Sequence, residues 1–219
     1  MFSPRLDILP EPQKLLWPEL EATPREFVLY GGTAIALRLG HRASVDFDFF
    51  SFEQFVPQIL QSRISYLQGA EVLQSAPNTL TCRVDRKGPV QLSFFGLSLG
   101  QVAPPEPVLG PNFSVAMPID LGGTKVAVVT QRVEARDYID VHALVGAGLS
   151  LAEMLGAALA IYGATFSPLL ALKALAYYDD PALARLPGGL RRDLAAAVKS
   201  VDLSRLPAIT PIRPRGDAS

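Results

Sequence analysis

The chain has 219 residues, of which 49% are hydrophobic and 19% are charged, and its net charge is −1 at pH 7. This composition excludes a disordered chain and suffices for one large domain or two small ones. The near-zero charge provides no global basic field for nucleic acid, so any RNA contact requires a local basic patch.

The single cysteine, Cys82, excludes an intramolecular disulfide and predicts a reducing compartment. Residues 1–12 carry charges and prolines where a signal peptide needs an apolar stretch. The longest apolar segment, residues 149–172, contains Glu153 and Pro168 and therefore fits a buried helix better than a bilayer span. We predict a cytoplasmic protein with no membrane partner.

The first half of the chain alternates helical and extended segments. Helices are expected at residues 13–21, 34–39 and 52–66, and strands at residues 27–30, 44–50, 71–74, 79–84 and 90–95. Gly31, Gly32 and Thr33 are expected to form a turn before the second helix. Residues 85–88 carry a hairpin signal.

The second half shows helical patterns only. After a proline-rich loop at residues 100–118, helices are expected at residues 121–132, 137–147, 151–162, 168–177 and 190–201. We therefore predict an α/β (α+β) fold, with a sheet and flanking helices in residues 1–118. Residues 119–209 are expected to form a helical domain packed on it, and residues 210–219 a disordered tail.

Asp46 and Asp48 are the strongest chemical signal. Residues two apart on a strand point to the same face, so these carboxylates are expected side by side, with Val45, Phe47 and Phe49 facing a core. Adjacent carboxylates repel unless a positive charge lies between them, and Mg²⁺ commonly takes one or two carboxylates together with phosphate oxygens. The alternative is a solvated strand face.

The glycine turn before the second helix is a candidate phosphate site. Backbone N–H groups at a helix N-terminus attract anions, and the hydroxyl of Thr33 adds a donor. A plain tight turn is the alternative for such glycines alone. Arg42 can reach phosphates from the segment that follows, and Ser44 shares the predicted strand face of Asp46.

Residues 31–50, GGTAIALRLGHRASVDFDFF, closely resemble the signature of the nucleotidyltransferase family that includes the AbiEii/AbiGii toxins, within the DNA polymerase β-like superfamily. Lys125 and residues 132–144, RVEARDYIDVHAL, resemble that family's later lysine and Arg-Asp-x-x-Asp motif. The resemblance covers most of the chain. It implies a nucleotidyltransferase-like mixed sheet and Mg²⁺-dependent transfer of a nucleotide monophosphate from an NTP, with release of pyrophosphate.

The resemblance also implies partners and cofactors. One or two Mg²⁺ ions and an NTP are expected. In related toxins the acceptor is thought to be RNA, tRNA in some cases, or a protein residue. Such toxins are usually paired with an antitoxin encoded beside them.

Lys125 lies in a predicted helix beside Gly122 and Gly123, which are expected to leave room around it. It is a candidate for stabilising the charge on the leaving pyrophosphate. Asp137 and Asp140 are one helical turn apart and share a face, so they are candidates for orienting Lys125 or the acceptor, or for assisting deprotonation. The alternatives are a solvated lysine and a helix-start carboxylate paired with Arg136.

Active members of the superfamily generally use a third carboxylate on a neighbouring strand. Here that strand offers Gln91 and Ser93, and Asp85 lies at the hairpin tip. Either a second metal enters with the NTP, or Asp137 or Asp140 is the base, or the chain binds nucleotide without transferring it. We favour an enzyme; a catalytically silent nucleotide-binding or protein-interaction module is the alternative.

Overall fold

The computed structural model describes residues 1–96 and 99–213, which form two compact units. The sheet unit comprises residues 1–96 and 105–116, and the helical unit comprises residues 99–104 and 117–213. A mixed sheet in the first unit and helices in the second confirm the predicted α/β class. Of the expected tail at residues 210–219, residues 214–219 lie outside the described part.

A seven-stranded mixed sheet organises the sheet unit. Its strands are β1 Phe27–Tyr30, β2 Asp46–Ser51, β3 Glu71–Ala76, β4 Thr79–Asp85, β5 Pro89–Gly96, β6 Glu106–Pro107 and β7 Ser114–Val115. Their spatial order is β3-β4-β5-β2-β1-β7-β6. The second strand, β2, lies in the middle, antiparallel to β1 and parallel to β5.

Aromatic packing fixes which face of β2 is buried. Phe47 and Phe49 are fully buried, and the ring of Phe49 stacks on that of Phe94 with centroids 5.3 Å apart. The ring of Trp17 lies 6.2 Å from that of Phe47 and covers the same face. A one-residue slip of β2 would bury its aspartates instead, so this packing specifies the strand register.

The α-helices are α1 Glu11–Leu16, α2 Gly31–Leu39, α3 Pro57–Arg63, α4 Pro118–Val128, α5 Ala135–Gly146, α6 Leu151–Tyr162, α7 Pro168–Ala176 and α8 Gly188–Lys199. Two helix ends match the predicted bounds: α2 ends at Leu39, followed by Gly40 with φ +65°, and α6 begins at Leu151, after a capping box between Ser150 and Glu153. In the described part of the chain, no single helix has the length and apolar composition to cross a membrane. Taken together, α5 and the segment Leu151–Thr165 meet both criteria, but they are bent by 116° relative to each other.

Close packing of α4 on α6 organises the helical unit. A Cβ at Gly122 would lie 2.8 Å from Cγ of Met154, and one at Gly123 would lie 3.0 Å from Cβ of Ala157. Because these glycines have no side chain, α6 packs closely on α4. This corrects the expectation that the glycines leave room around Lys125.

Local backbone chemistry explains the differences from the predicted elements. The predicted helix at residues 13–21 is α1 followed by a 3-10 helix, Trp17–Ala22, because Pro18 cannot continue an α-helix. The predicted loop at residues 100–118 contains β6 and β7, which are too short to show periodicity. Val45 precedes β2 and is 49% exposed, so its predicted place in the core is wrong.

Candidate functional site

Asp46 and Asp48 lie on one face of β2, opposite the buried Phe47 and Phe49, and both are half-buried. Their register neighbours on β5 are Gln91 and Ser93, respectively. Residues paired across a ladder share a face, so the two carboxylates and these two polar side chains form one patch on the sheet. The patch has the geometry that the strand alternation predicts.

The first turn of α2 lies against Asp48. Gly31 has φ +71°, and a Cβ built there would lie only 2.6 Å from Oδ2 of Asp48. The helix begins at Gly31, three residues before the predicted start, because this left-handed residue reverses the chain directly after β1. The carboxylate is therefore next to a helix N-terminus, where unpaired N–H groups and the helix dipole favour negative charge.

We expect Gly31→Ala to destabilise the protein more than Gly69→Ala does. Both glycines have positive φ, +71° and +75°, and a Cβ there costs about 1–2 kcal/mol for the left-handed backbone alone. At Gly69 no described atom lies within 4 Å of such a Cβ, so the replacement adds no clash. At Gly31 the contact with Asp48 adds about 1–3 kcal/mol of overpacking. Urea unfolding of the two variants measures the difference, and equal losses would contradict the close approach.

The segment before β2 is held by hydroxyl groups. Thr33 Oγ1 donates to the main-chain oxygen of Asp46 and lies 2.7 Å from Oγ of Ser44, and both side chains are buried. Arg42 donates to the main-chain oxygen of Ala43 at 3.0 Å and to Ser44 Oγ at 3.4 Å. The predicted nucleotide-binding residues Gly31, Gly32, Thr33, Arg42 and Ser44 thus belong to the segment that leads from β1 to the aspartates.

The donor set fits a magnesium ion held by two protein carboxylates. Among the described residues, no group of three or more His, Cys, Asp or Glu side chains is placed to hold a metal. The ladder partners of the aspartates are Gln91 and Ser93, so the third carboxylate missing from the sequence motif is not supplied by β5. Mg²⁺ readily takes one or two carboxylates and completes its octahedron with water and substrate phosphate.

A second charged cluster lies in the helical unit. Lys125 Nζ on α4 is 2.7 Å from Oδ1 of Asp137 and 2.8 Å from Oδ2 of Asp140, and all three side chains are buried. Asp137 and Asp140 share a face of α5, as their spacing predicts. The cluster brings together the lysine and both aspartates that the sequence singled out.

Arg132 completes this cluster, a partnership that the sequence analysis missed. Its Nε is 2.9 Å from Oδ2 of Asp137, and its second terminal nitrogen is 3.2 Å from Oδ1. Arg136, the predicted structural partner, forms an ion pair with Glu134, with Nε 2.5 Å from Oε2. Burial opposes ionisation of Asp137, but the hydrogen bonds from Arg132 and the charge of Lys125 outweigh it and lower the pKa of this carboxyl.

Comparisons with solved structures agree with this fold. The chain superposes on the nucleotidyltransferase toxin MenT4 from Mycobacterium tuberculosis H37Rv with a TM-score of 0.60 and 14% identity, covering 88% of this chain and 84% of MenT4. A candidate nucleotidyltransferase from H. pylori gives a TM-score of 0.56 and 17% identity over 85% of this chain and 91% of its own. At these identities the similarity concerns the fold alone.

Sequence comparisons identify the family. An uncharacterized protein of Aquifex aeolicus (strain VF5) is 31% identical over 117 residues, which are 52% of this chain and about half, 55%, of that protein. The family profile described as "Nucleotidyl transferase AbiEii toxin, Type IV TA system" matches residues 19–209, a range that includes all seven strands and the helices α2 to α8. The chain therefore belongs to the AbiEii family of toxin–antitoxin nucleotidyltransferases.

Proposed function

We propose that this protein transfers a nucleotide monophosphate from an NTP to a hydroxyl group of an acceptor RNA, such as tRNA, or of a protein. In this reaction the acceptor hydroxyl loses its proton to solvent, its oxygen forms a bond to the α-phosphorus, the bond from that phosphorus to the bridging oxygen breaks, and pyrophosphate leaves. The observation that carries the proposal is the pair Asp46 and Asp48 on one strand face, against the N-terminus of α2.

Asp46 and Asp48 would hold Mg²⁺, which when bound neutralises phosphate charge and orients the triphosphate. The N-terminus of α2, with Gly31 and Gly32, would accept phosphate oxygens through backbone N–H groups, and Arg42 would add a positive charge. Thr33 and Ser44 would support this role by holding the strand, because their hydroxyl groups bond each other and that of Thr33 also donates to the main-chain oxygen of Asp46.

Lys125 would stabilise the charge that develops on the leaving pyrophosphate. The two carboxylates that contact its Nζ would hold it in a fixed orientation. Asp137 serves this orienting role better than that of a general base. A general base works best with a pKa near the operating pH, whereas the pKa of Asp137 is lowered by Arg132 and Lys125 against the effect of burial.

The test is transfer of radiolabel from each α-labelled NTP, in the presence of Mg²⁺, to total tRNA or to a protein extract. We expect wild type to label one acceptor class and Asp46→Ala to label neither. If wild type labels no more than Asp46→Ala with any of the four NTPs, the proposed transfer is wrong.

One observation favours a second candidate, a catalytically silent nucleotide-binding module: the strand next to the aspartates carries Gln91 and Ser93 in place of a third carboxylate. Calorimetry with ATP, GTP, CTP and UTP, with and without Mg²⁺, separates the two functions. Metal-dependent binding of a nucleotide, without label transfer, would identify the silent module.

A further inference from the structure

The start of β2 is held by side chains as well as by its ladder partner. Asp46 pairs with Gln91 on β5, but β1 ends at Tyr30, which lies opposite Asp48. On the β1 side, the ladder therefore stops two residues short of Asp46. The ladder thus holds this strand end along one edge only.

Two buried side chains provide that support. Nε2 of Gln13, on α1, donates to the main-chain oxygen of Val45 at 2.7 Å, and Thr33, on α2, donates to the main-chain oxygen of Asp46. Both side chains are 2% exposed. Two helices that are 20 residues apart in sequence thus contact two consecutive carbonyl groups.

These two contacts define the backbone conformation of Asp46. The peptide plane that contains the Val45 carbonyl determines φ of Asp46, and the plane that contains the Asp46 carbonyl determines ψ. Once both planes are fixed, so is the direction in which the Cα–Cβ bond of Asp46 leaves the strand. The main chain therefore determines the direction in which the side chain of Asp46 leaves the strand.

One polar atom of the Gln13 side chain is buried without a hydrogen-bond partner, which indicates that this residue does not serve stability alone. Because Val45 contributes an acceptor, the amide nitrogen must face it, and Oε1 of Gln13 is left buried with no hydrogen-bond partner among the described residues. A buried polar atom without a partner is destabilising. An apolar residue of the same length would remove Oε1, the acceptor that lacks a donor. It would also leave the Val45 carbonyl without the hydrogen bond from Gln13, so the net change in stability is expected to be small.

We propose that Gln13 is a positioning residue for the metal-binding strand, acting with Thr33 to aim the carboxylate of Asp46. This inference rests on the proposed function, because it assumes that Asp46 and Asp48 bind a divalent cation. Residues that orient metal ligands without touching the metal typically change metal affinity by about 10–100-fold when they are replaced.

The experiment is titration with Mn²⁺ alone, followed by electron paramagnetic resonance, together with thermal unfolding of the same samples. Gln13→Met keeps the length of the side chain but removes the donor, and Gln13→Glu keeps its shape. We expect both to weaken Mn²⁺ binding by about 10-fold, with the melting temperature of Gln13→Met changed only slightly.

Thr23→Val is the matched control. Thr23 is 2% exposed and its hydroxyl lies 2.7 Å from the hydroxyl of Tyr66, so this variant also loses a buried hydrogen bond of the sheet unit. We expect it to lower the melting temperature and to bind Mn²⁺ like wild type. If Mn²⁺ binding weakens in Thr23→Val as well as in the Gln13 variants, in proportion to the fall in melting temperature, the inference is overturned.

Two further outcomes separate this inference from the proposed function. Wild-type affinity for Mn²⁺ in both Gln13 variants would overturn the positioning role and leave the metal site intact. A wild-type protein that binds no Mn²⁺ would overturn the metal site itself, and the positioning role with it.

Discussion

Asp48→Asn is expected to reduce nucleotide transfer by about 10³-fold or more, since a metal that loses a charged ligand forfeits several kcal/mol of transition-state stabilisation. The substitution keeps the shape of the side chain beside Gly31 and removes only its charge. We expect the variant to remain folded, because the amide occupies the same space as the carboxylate.

Asp85→Asn is the matched control for this prediction. Asp85 belongs to the same unit and lies at the end of β4, where Oδ1 accepts a hydrogen bond from the N–H of Lys87, a bond that an Asn can also accept. We expect this variant to transfer label as wild type does. Label transfer by Asp48→Asn at more than a tenth of the wild-type rate would contradict the role of β2 as the metal strand. Label transfer and melting temperature are measured on the same protein samples.

The orientation of Asp46 and Asp48 on β2 was predictable from the sequence because its determinants are local. Phe47 and Phe49 alternate with Asp46 and Asp48, and burial of the two rings decides which way the carboxylates point. The same holds for the capping box of α6, whose two partners are three residues apart. Such features depend on spacing along one element, and spacing is what a sequence displays.

The side chains that hold the candidate site residues in place were not predictable, because their contacts form only when separate segments pack together. Gln13 donates to the main-chain oxygen of Val45, 32 residues ahead. Arg132 pairs with Asp137 although Arg136 is its neighbour in sequence. No periodicity marks these pairs, since each partner is selected only when the elements pack.

Lys125→Met is expected to destabilise the protein by about 3–5 kcal/mol, because removing one partner of a buried ion pair leaves uncompensated charge in the interior. Two carboxylates, those of Asp137 and Asp140, contact the lysine Nζ, and both are fully buried. Arg132 still pairs with Asp137 in the variant, so part of the negative charge of this cluster remains compensated. Urea unfolding near neutral pH measures the change in the free energy of unfolding.

The pH dependence of this loss identifies its cause. In wild type, burial opposes ionisation of Asp137, but Arg132 and Lys125 lower the pKa of this carboxyl below its value in the unfolded chain. Its contribution to stability is therefore present above the unfolded pKa and is lost as pH falls through the pKa in the folded protein. Without Lys125, Asp137 loses one of the two cations that lower its pKa, so less of this stabilisation remains above the unfolded pKa. The gap between Lys125→Met and wild type is therefore expected to widen as pH rises from strongly acid to neutral values. Arg136→Ala, which removes a surface pair with Glu134, should cost about 0–1 kcal/mol with little pH dependence. A gap between Lys125→Met and wild type that stays constant across this range would mean that the loss comes from packing rather than from unpaired buried charge.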